Sequence, residues 1–225
     1  MKYFKAKFDI NEYSGSVVIN KADTFLQDKA NALRGKPLTD ISVDNVMITC
    51  SIAKMKIGCA PGLDGVMTEH HKYACNTNVV AVFRSIFNIC LQFGIVPSNF
   101  RNGLLIKETT HSDTSVPNNY RPVTISPTLS KLMEIIILSH TQHQFSDAQF
   151  GFIEARGTEM AITLVNDVRK YCTQRGSRVY TYSLDAEGAF DAIPHSILFR
   201  EASGVIPDQM WKILFDWYSN LKSVH

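Results

Sequence analysis

The chain has 225 residues, of which 45% are hydrophobic and 20% charged, a composition typical of a globular protein with a sizeable core and not of a disordered segment. Its net charge of +2 permits a polyanionic partner but is too small to indicate a dedicated nucleic-acid module. No stretch approaches the roughly 18 apolar residues of a membrane span, and charges interrupt the first ten residues, so we expect an intracellular protein, nuclear or cytoplasmic.

The first hundred residues are predicted to be mainly helical. Residues 1–40 show no sustained period, although a short helix ending near Gly35 and Pro37 fits part of them. Ser42 is a plausible N-cap for a helix with the apolar positions Val43, Val46, Met47, Cys50 and Ala53. The stretch GCAPGLDG that follows lacks the Gly-Lys-Ser/Thr ending of a phosphate-binding P-loop, so a turn is the better interpretation.

The clearest helix is closed by Gly94 and Pro97. Its apolar stripe comprises Val79, Val80, Phe83, Ile86, Phe87, Cys90 and Leu91. GLLIKE, residues 103–108, predicts a short strand, and NNYRP predicts an extended turn, because a residue before proline avoids the helical region. Ser126 is predicted to cap a helix that has Pro127 at its first position and buries Leu129, Leu132, Met133, Ile136 and Ile137.

The last third of the chain is predicted to alternate helix, strand and helix. Thr158 caps a helix that ends at Gly176 and carries an inward stripe of Met160, Ala161, Leu164, Val165, Val168 and Cys172. RVYTYSLD, residues 178–185, alternates and is rich in Val and Tyr, which predicts a strand. A final helix from about Pro207 carries Met210, Trp211, Leu214, Phe215 and Tyr218 inward.

The cysteines and histidines do not indicate a metal site. The five cysteines are scattered, without a C-x-x-C pair or a histidine at zinc-finger spacing, so we expect reduced, mostly structural thiols. His70 and His71 are adjacent and diverge on a helix.

Two groups of charged residues could carry chemistry. Asp185 lies at the end of the predicted strand, where a carboxylate can serve as a ligand of a hard cation, although a turn or cap role is the better interpretation on local evidence alone. Lys107 and Arg121 lie on and just beyond a short hairpin-like element and suit an anionic phosphate. For Lys107 and for Arg121, the alternative interpretation is a solvent-exposed charge with no binding role.

Five segments, in this order, resemble the reverse transcriptases of non-LTR retrotransposons, the class that includes the LINE-like elements. They are KIGCAPGLDGV, LLIKE, NNYRPVTISPTLSKLMEIIIL, QFGFIEARGTEMAI and VYTYSLDAEGAFDAIPHSIL, and the resemblance covers roughly residues 52–225. Each segment is modest in specificity, but their shared order and spacing are specific.

The resemblance implies roles for five residues. Asp185 matches the first catalytic aspartate of the palm, which binds both Mg²⁺ ions of a two-metal site, and Ala186 matches a residue whose backbone carbonyl touches a metal. Lys107 and Arg121 match fingers residues that hold the triphosphate of the incoming nucleotide. Phe190 matches an aromatic residue that lies under the sugar of the incoming nucleotide and excludes ribonucleotides. The alternative interpretation is that Phe190 is an aromatic residue of the hydrophobic core.

The sequence also departs from the family pattern. Cys59 and Ile153 stand where the family usually has a lysine and an arginine, so two cations expected to face nucleic acid are missing. The later palm blocks, including the aromatic-x-Asp-Asp hairpin, have no counterpart before His225. We therefore expect a C-terminally truncated domain that is inactive alone.

The implied fold is α+β and helix-rich, an incomplete right-hand polymerase with the fingers and the first part of the palm. Its expected segments are 1–40 of unknown role, 41–98 as a helical extension, 99–176 as fingers and 177–225 as the start of the palm. The implied activity is RNA-directed DNA polymerisation with an RNA template, a DNA primer and dNTPs, and no specific protein partner is predicted. A non-catalytic RNA-binding relic and a maturase-like splicing factor are the alternatives.

Overall fold

The structure is a computed structural model that describes residues 17–109, 115, 120–141, 146–185 and 193–224. The chain divides into two compact units. The larger unit comprises Met1–Gln142 and Phe190–His225, and the smaller unit comprises His143–Ala189.

The larger unit is mainly helical. Its described helices are α1 (Val17–Leu33), α2 (Asn45–Lys54), α3 (Thr68–Tyr73), α4 (Thr77–Phe93), α5 (Thr128–Ser139), α7 (His195–Ala202) and α8 (Asp208–Ser219). A short 3-10 helix, Ser98–Arg101, precedes the first of three strands: β1 (Asn102–Thr109), β2 (Tyr120–Ile125) and β3 (Lys222–Val224). The prediction of a helix-rich chain is confirmed, whereas α7 and β3 were not predicted.

Helix α4 shows how local sequence sets the helix ends. The Asn76 side chain accepts hydrogen bonds from the backbone N–H groups of Asn78 and Val79, and Gly94 ends the helix with a φ of 65°. A left-handed residue at this position favours glycine because it has no Cβ. The predicted stripe is confirmed, with Val80, Phe87, Cys90 and Leu91 buried.

Three predicted N-caps were wrong. Asp44 caps α2, accepting a hydrogen bond from the Met47 N–H at 2.7 Å, and Ser42 does not. The caps of α5 and α6 are Pro127 and Gly157, in place of Ser126 and Thr158, and neither supplies a side-chain hydrogen bond.

The predicted inward face of α2 was wrong in part, since Val43 is buried and Met47 packs against the core as predicted, whereas the other predicted positions are exposed. Ile48, Ser51 and Ile52 are buried, whereas Val46 is 69% exposed and Cys50 is exposed. Ile48 and Ile52 are one helical turn apart, and Met55 follows on the same side of the chain. These three side chains form the apolar surface that packs against α4 and α5.

The sheet has the order β2-β1-β3, with β1 and β2 antiparallel and β3 parallel to β1. Residues 120–122 of NNYRP begin β2 and do not form the predicted turn. The extended backbone that proline favours in its predecessor is also strand geometry, and β2 lies at the edge of the described sheet, where a proline costs no hydrogen bond within the ladder.

Two hydrophobic clusters hold the larger unit together. The first joins the buried faces of α2, α4, α5 and α8, with Ile48, Ile52, Phe87, Leu91, Leu132, Met133, Ile136, Met210 and Ile213 among its members. The second comprises Leu26, Phe199 and Trp211 and joins α1, α7 and α8. Each large apolar side chain buried in this way stabilises the fold by roughly 1.5–3 kcal/mol.

The smaller unit contains α6 (Thr158–Gln174), which ends before Gly176 as predicted. None of its residues is buried in the described structure, so its predicted inward stripe is not confirmed. The strand predicted at 178–185 was wrong: these residues have no regular structure, and Tyr182 and Leu184 are 87% and 97% exposed. A strand requires a hydrogen-bonded neighbour, and no described strand pairs with this segment. Within the described ranges, each helix is too short or too polar to cross a membrane.

Candidate nucleotide and nucleic-acid site

The backbone of the β1–β2 pair places Lys107 and Arg121 on neighbouring strands. Lys107 pairs with Pro122, and Arg121 pairs with Glu108. The two cationic positions are therefore one register step apart along the paired backbones. Their side chains lie outside the described part of the structure, so the shared phosphate site stays a prediction.

Asp185 belongs to the smaller unit and is exposed, in an irregular segment. Ala186 and Phe190, the other two positions matched to the nucleotide site, lie outside the described residues. The roles that the resemblance implies require Asp185 to face the same nucleotide as Lys107 and Arg121, which belong to the other unit. That arrangement stays a prediction.

The donor chemistry of Asp185 fits the implied magnesium. Carboxylate oxygens are preferred ligands of Mg²⁺, and the exposure of Asp185 leaves its oxygens accessible. The described residues hold no group of three or more His, Cys, Asp or Glu side chains that could bind a metal ion. Asp185 therefore fits as one ligand, and a complete site needs further oxygen donors.

The loop between α2 and α3, predicted as a turn, is braced against the start of α5. The Gly58 N–H donates to the Glu69 carboxylate at 2.6 Å, and this hydrogen bond lowers the pKa of Glu69. The Thr128 hydroxyl donates to the Val66 carbonyl at 2.5 Å. Gly62 lies so close to Pro127 that a Cβ would come within 2.9 Å of the Pro127 backbone. These contacts fix the loop on α5.

A cavity of about 300 Å³ lies beside this loop. It is lined by three lysines, one carboxyl group and a partly apolar wall: Lys54, Met55, Lys56, Cys59, Thr68, Lys131, Glu134, Ile135 and Leu138. Lys131, Glu134, Ile135 and Leu138 are spaced i, i+3, i+4 and i+7, so they share one face of α5. The sequence shows this spacing, but it did not predict the cavity, because the opposite face of α5 carries more apolar residues and dominates the helical pattern.

The comparisons with known proteins agree with the resemblance of the motifs. The family described as "Reverse transcriptase (RNA-dependent DNA polymerase)" matches residues 106–224. The chain is 28% identical over 187 residues to the RNA-directed DNA polymerase from mobile element jockey of Drosophila melanogaster, covering 79% of this chain and 20% of that protein.

Two further relatives are also products of retrotransposable elements. The chain is 29% identical over 161 residues to a Pol polyprotein from type-1 retrotransposable element R2 of Popillia japonica, covering 68% of this chain and 21% of that protein. It is 26% identical over 157 residues to a putative 115 kDa protein in element R1DM of Drosophila melanogaster, covering 66% of this chain and 15% of that protein. The chain thus spans about a fifth or less of each of these relatives.

The family match includes β1 from Ile106, the β1–β2 pair, α5, α6, Asp185, α7, α8 and β3. It covers more than half of the chain. The chain therefore belongs to the reverse transcriptase (RNA-dependent DNA polymerase) family.

Proposed function

We propose that this chain carries part of an RNA-directed DNA polymerase, which extends a DNA primer with dNTPs along an RNA template and releases pyrophosphate. The family match over residues 106–224 carries the proposal, because that range contains Lys107, Arg121 and Asp185 in the family's order. The name of the jockey relative supports the proposal, and so does that of a further relative from Drosophila melanogaster, "Probable RNA-directed DNA polymerase from transposon BS", which is 23% identical over 193 residues.

The proposed architecture is an incomplete right hand. Residues 41–98 form a helical extension, 99–176 the fingers and 177–225 the start of the palm, with 1–40 preceding them. The antiparallel β1–β2 pair supports the fingers assignment, since it brings the backbone positions of Lys107 and Arg121 together. The helices α2 and α4 support the helical extension.

In the proposed mechanism, the chain binds and orients the nucleotide. Lys107 and Arg121 hold its phosphates by charge-assisted hydrogen bonds, and Phe190 blocks the space of a 2′-hydroxyl. Asp185 and the Ala186 carbonyl are the ligands that this chain offers to Mg²⁺. When bound, Mg²⁺ supplies Lewis-acid stabilisation of the attacking and leaving oxygens.

The test of catalysis uses a longer chain that adds the family's aromatic-x-Asp-Asp block after residue 225. Asp185→Ala should abolish primer extension on an RNA template, because the metal site loses a ligand. Asp167→Ala is the matched control, since Asp167 is an exposed aspartate on α6 in the same unit. Equal extension by the two variants would reject the role of Asp185.

The nucleotide-binding residues have separate tests in the same longer chain. Lys107→Ala and Arg121→Ala should raise the KM for dNTP, since each removes a cation from the phosphate site. Phe190→Val should admit ribonucleotides. Residues 1–225 by themselves are expected to extend no primer, because Asp185 is the one position that matches a catalytic aspartate of the family.

A further inference from the structure

We propose that a pocket between α1, α7 and α8 binds the guanidinium group of an arginine side chain presented by a partner protein. The pocket has a volume of about 380 Å³, and its lining includes the aromatic side chains of Phe199, Phe215 and Tyr218. Asp23 and Gln27 of α1 also line it and are exposed. All three helices belong to the larger unit, and the site does not depend on the proposed polymerase function.

The aromatic wall of the pocket consists of rings that meet edge to face. The centre of the Phe199 ring lies 5.6 Å from that of Phe215 and 5.6 Å from that of Tyr218, at interplanar angles of 89° and 75°. The His195 ring meets the Tyr218 ring in the same way, at 5.6 Å and 89°. The face of an aromatic ring attracts a cation that comes within about 6 Å of its centre. A cation in the pocket therefore lies against several attractive rings.

The same aromatic cluster already binds a cation of the chain itself. The Lys29 ammonium lies 5.1 Å from the centre of the Trp211 ring, and it pairs with the Asp208 carboxylate at 2.6 Å. Trp211 stacks on Phe215, with the ring centres 4.9 Å apart and the planes 7° apart. Stacked rings and a carboxylate thus hold one positive group. The pocket offers the same combination of groups, with Phe215 and the Asp23 carboxylate in its lining.

The charges at the pocket favour a positive ligand. Within the described residues, Asp23 takes part in no salt bridge. The pocket meets the first turn of α7 and the last turn of α8, whose partial charges have opposite signs and offset each other. Burial raises the pKa of Tyr218, and the negative charge of Glu134 adds to the rise, so a second carboxylate acts on the aromatic wall. Asp23 and Glu134 therefore make the pocket attractive to a cation.

The polar part of the lining suits arginine better than lysine. It includes the Asp23 carboxylate, the Gln27 amide and the hydroxyls of Ser196 and Ser219, and each of these groups supplies an oxygen acceptor. A guanidinium group has five N–H donors in one plane and stacks on aromatic faces, whereas a lysine ammonium is a compact, strongly hydrated charge. Several acceptors beside aromatic rings therefore match a guanidinium group.

The lining also favours an arginine within a protein over free arginine. Free arginine carries an α-carboxylate, and the described side chains that line the pocket include no lysine or arginine to pair with it. In a protein, that carboxylate is part of a peptide bond. The volume of about 380 Å³ is at the lower end of the roughly 300–1,000 Å³ typical of ligand sites, which suits one side chain whose backbone stays outside.

The test is an NMR titration of residues 1–225 with an N-acetylated, C-amidated Gly-Ser-Arg-Ser-Gly peptide, at about pH 8, above the ordinary titration range of histidine. The peptide should cause saturable shifts of signals from α7 and α8. A peptide with citrulline in place of arginine keeps the shape but not the charge, and it should bind at least about tenfold more weakly. The lysine peptide should bind at least about threefold more weakly. No saturable shift, or equal binding of the arginine peptide and either analogue, would overturn the proposal.

Variants of two lining residues locate the site. Asp23→Asn should weaken binding of the arginine peptide at least about tenfold. The matched control is Asp28→Asn, which changes an exposed aspartate of α1 outside the pocket lining and should alter affinity less than about twofold. Tyr218→Leu should weaken binding about fivefold, whereas Tyr218→Phe should keep it, because phenylalanine retains the aromatic face. Circular dichroism melting checks that each variant folds. Equal effects of the two aspartate variants, or of the two Tyr218 variants, would overturn the site.

Two further measurements separate the other possible occupants of the pocket. Free L-arginine should bind at least about tenfold more weakly than the peptide, because its α-carboxylate meets the Asp23 carboxylate without a compensating cation. Sedimentation velocity of residues 1–225 should show no self-association that Asp23→Asn removes. Equal binding of free arginine would assign the pocket to the amino acid, and an Asp23-dependent dimer would assign it to a second copy of the chain. Either result would overturn the assignment to a partner protein.

Discussion

Gln209 on α8 and Ile41 in the segment before α2 are joined by two hydrogen bonds across 168 residues of sequence. The Gln209 side-chain carbonyl accepts from the Ile41 N–H at 2.9 Å, and its amide donates to the Ile41 carbonyl at 2.9 Å. The same amide donates to the Leu38 carbonyl at 3.0 Å. A residue inside the family match thus holds a segment that precedes the match, so the N-terminal segment is part of the same core.

Gln209→Ala should lower the free energy of unfolding by about 1–3 kcal/mol. Gln209 is 2% exposed, and its loss leaves part-buried backbone groups of Leu38 and Ile41 without this partner. Urea unfolding of residues 1–225 measures the change. Gln174→Ala is the control, because Gln174 is exposed at the end of α6, and it should stay within about 0.5 kcal/mol of the parent. A similar effect of both variants would contradict the bracing role of Gln209.

Asp216→Asn should also destabilise the larger unit. The Asp216 carboxylate contacts Arg101 at 2.5 Å and accepts from the Val96 N–H at 3.1 Å. Both side chains are roughly one-fifth exposed, so we expect a loss of about 1–2 kcal/mol, between the values for exposed pairs and buried charged hydrogen bonds. Urea unfolding measures the loss. Asp167→Asn is the control, and Arg101→Gln should cost a similar amount without adding to Asp216→Asn in the double variant.

The sequence predicted most of the helices because their apolar residues recur at the helical period. Helix α4 is the clearest example, since the structure buries residues of its predicted apolar stripe and ends the helix at Gly94, as predicted. Helix α2 is a counterexample, because its sequence has apolar residues on two faces. Ile48 and Ile52 are buried and Val46 is exposed because the neighbouring helices pack against the face of Ile48 and Ile52. Local periodicity finds a helix, but tertiary contacts select its buried face.

Non-local elements could not be predicted. Strand β3 has three residues and forms by parallel pairing with β1, more than a hundred residues earlier. The segment 178–185 has the composition of a strand but no described partner, since composition cannot supply the neighbouring strand. For the site, the motifs identified Asp185, Lys107 and Arg121, whereas the lysine cavity depends on the contact between α2 and α5 and so required the structure.

His71 should make stability depend on pH below about 6.5. Burial lowers the pKa of His71 from its ordinary value of 6.5, although Asp64 opposes the effect. The folded state therefore binds a proton less readily than the unfolded state, so stability is fully present above about pH 6.5 and is lost as pH falls toward the folded pKa. Urea unfolding of the parent and of His71→Phe at about pH 7.5 and pH 5.5 tests this.

His71→Phe keeps a ring against Phe83, whose centroid lies 5.3 Å from that of His71, and removes the titrating group. The variant should lose less unfolding free energy between the two pH values than the parent does. Parallel losses in the two proteins would show that other groups cause the pH dependence.

Cys90 should resist alkylation in the folded protein. It is 3% exposed, and burial raises the pKa of its thiol to about 11. Iodoacetamide reacts with the accessible thiolate, so exposed Cys50 should be labelled at about pH 8 while Cys90 is labelled only after unfolding in urea. Mass spectrometry of the digested protein locates the label. Native labelling of Cys90 at the rate of Cys50 would contradict its burial.

Gly62→Ala should destabilise the braced loop and the lysine cavity with it. A Cβ at Gly62 would lie 2.9 Å from the Cα and N atoms of Pro127 and 3.1 Å from the Ser126 carbonyl carbon. These are backbone atoms at the start of α5, so relief requires the loop to move from the helix, at a cost of about 1–3 kcal/mol. Gly151→Ala is the control, because a Cβ there meets no atom within 4 Å. Urea unfolding should separate the two variants, and equal stability would show that the loop yields without cost.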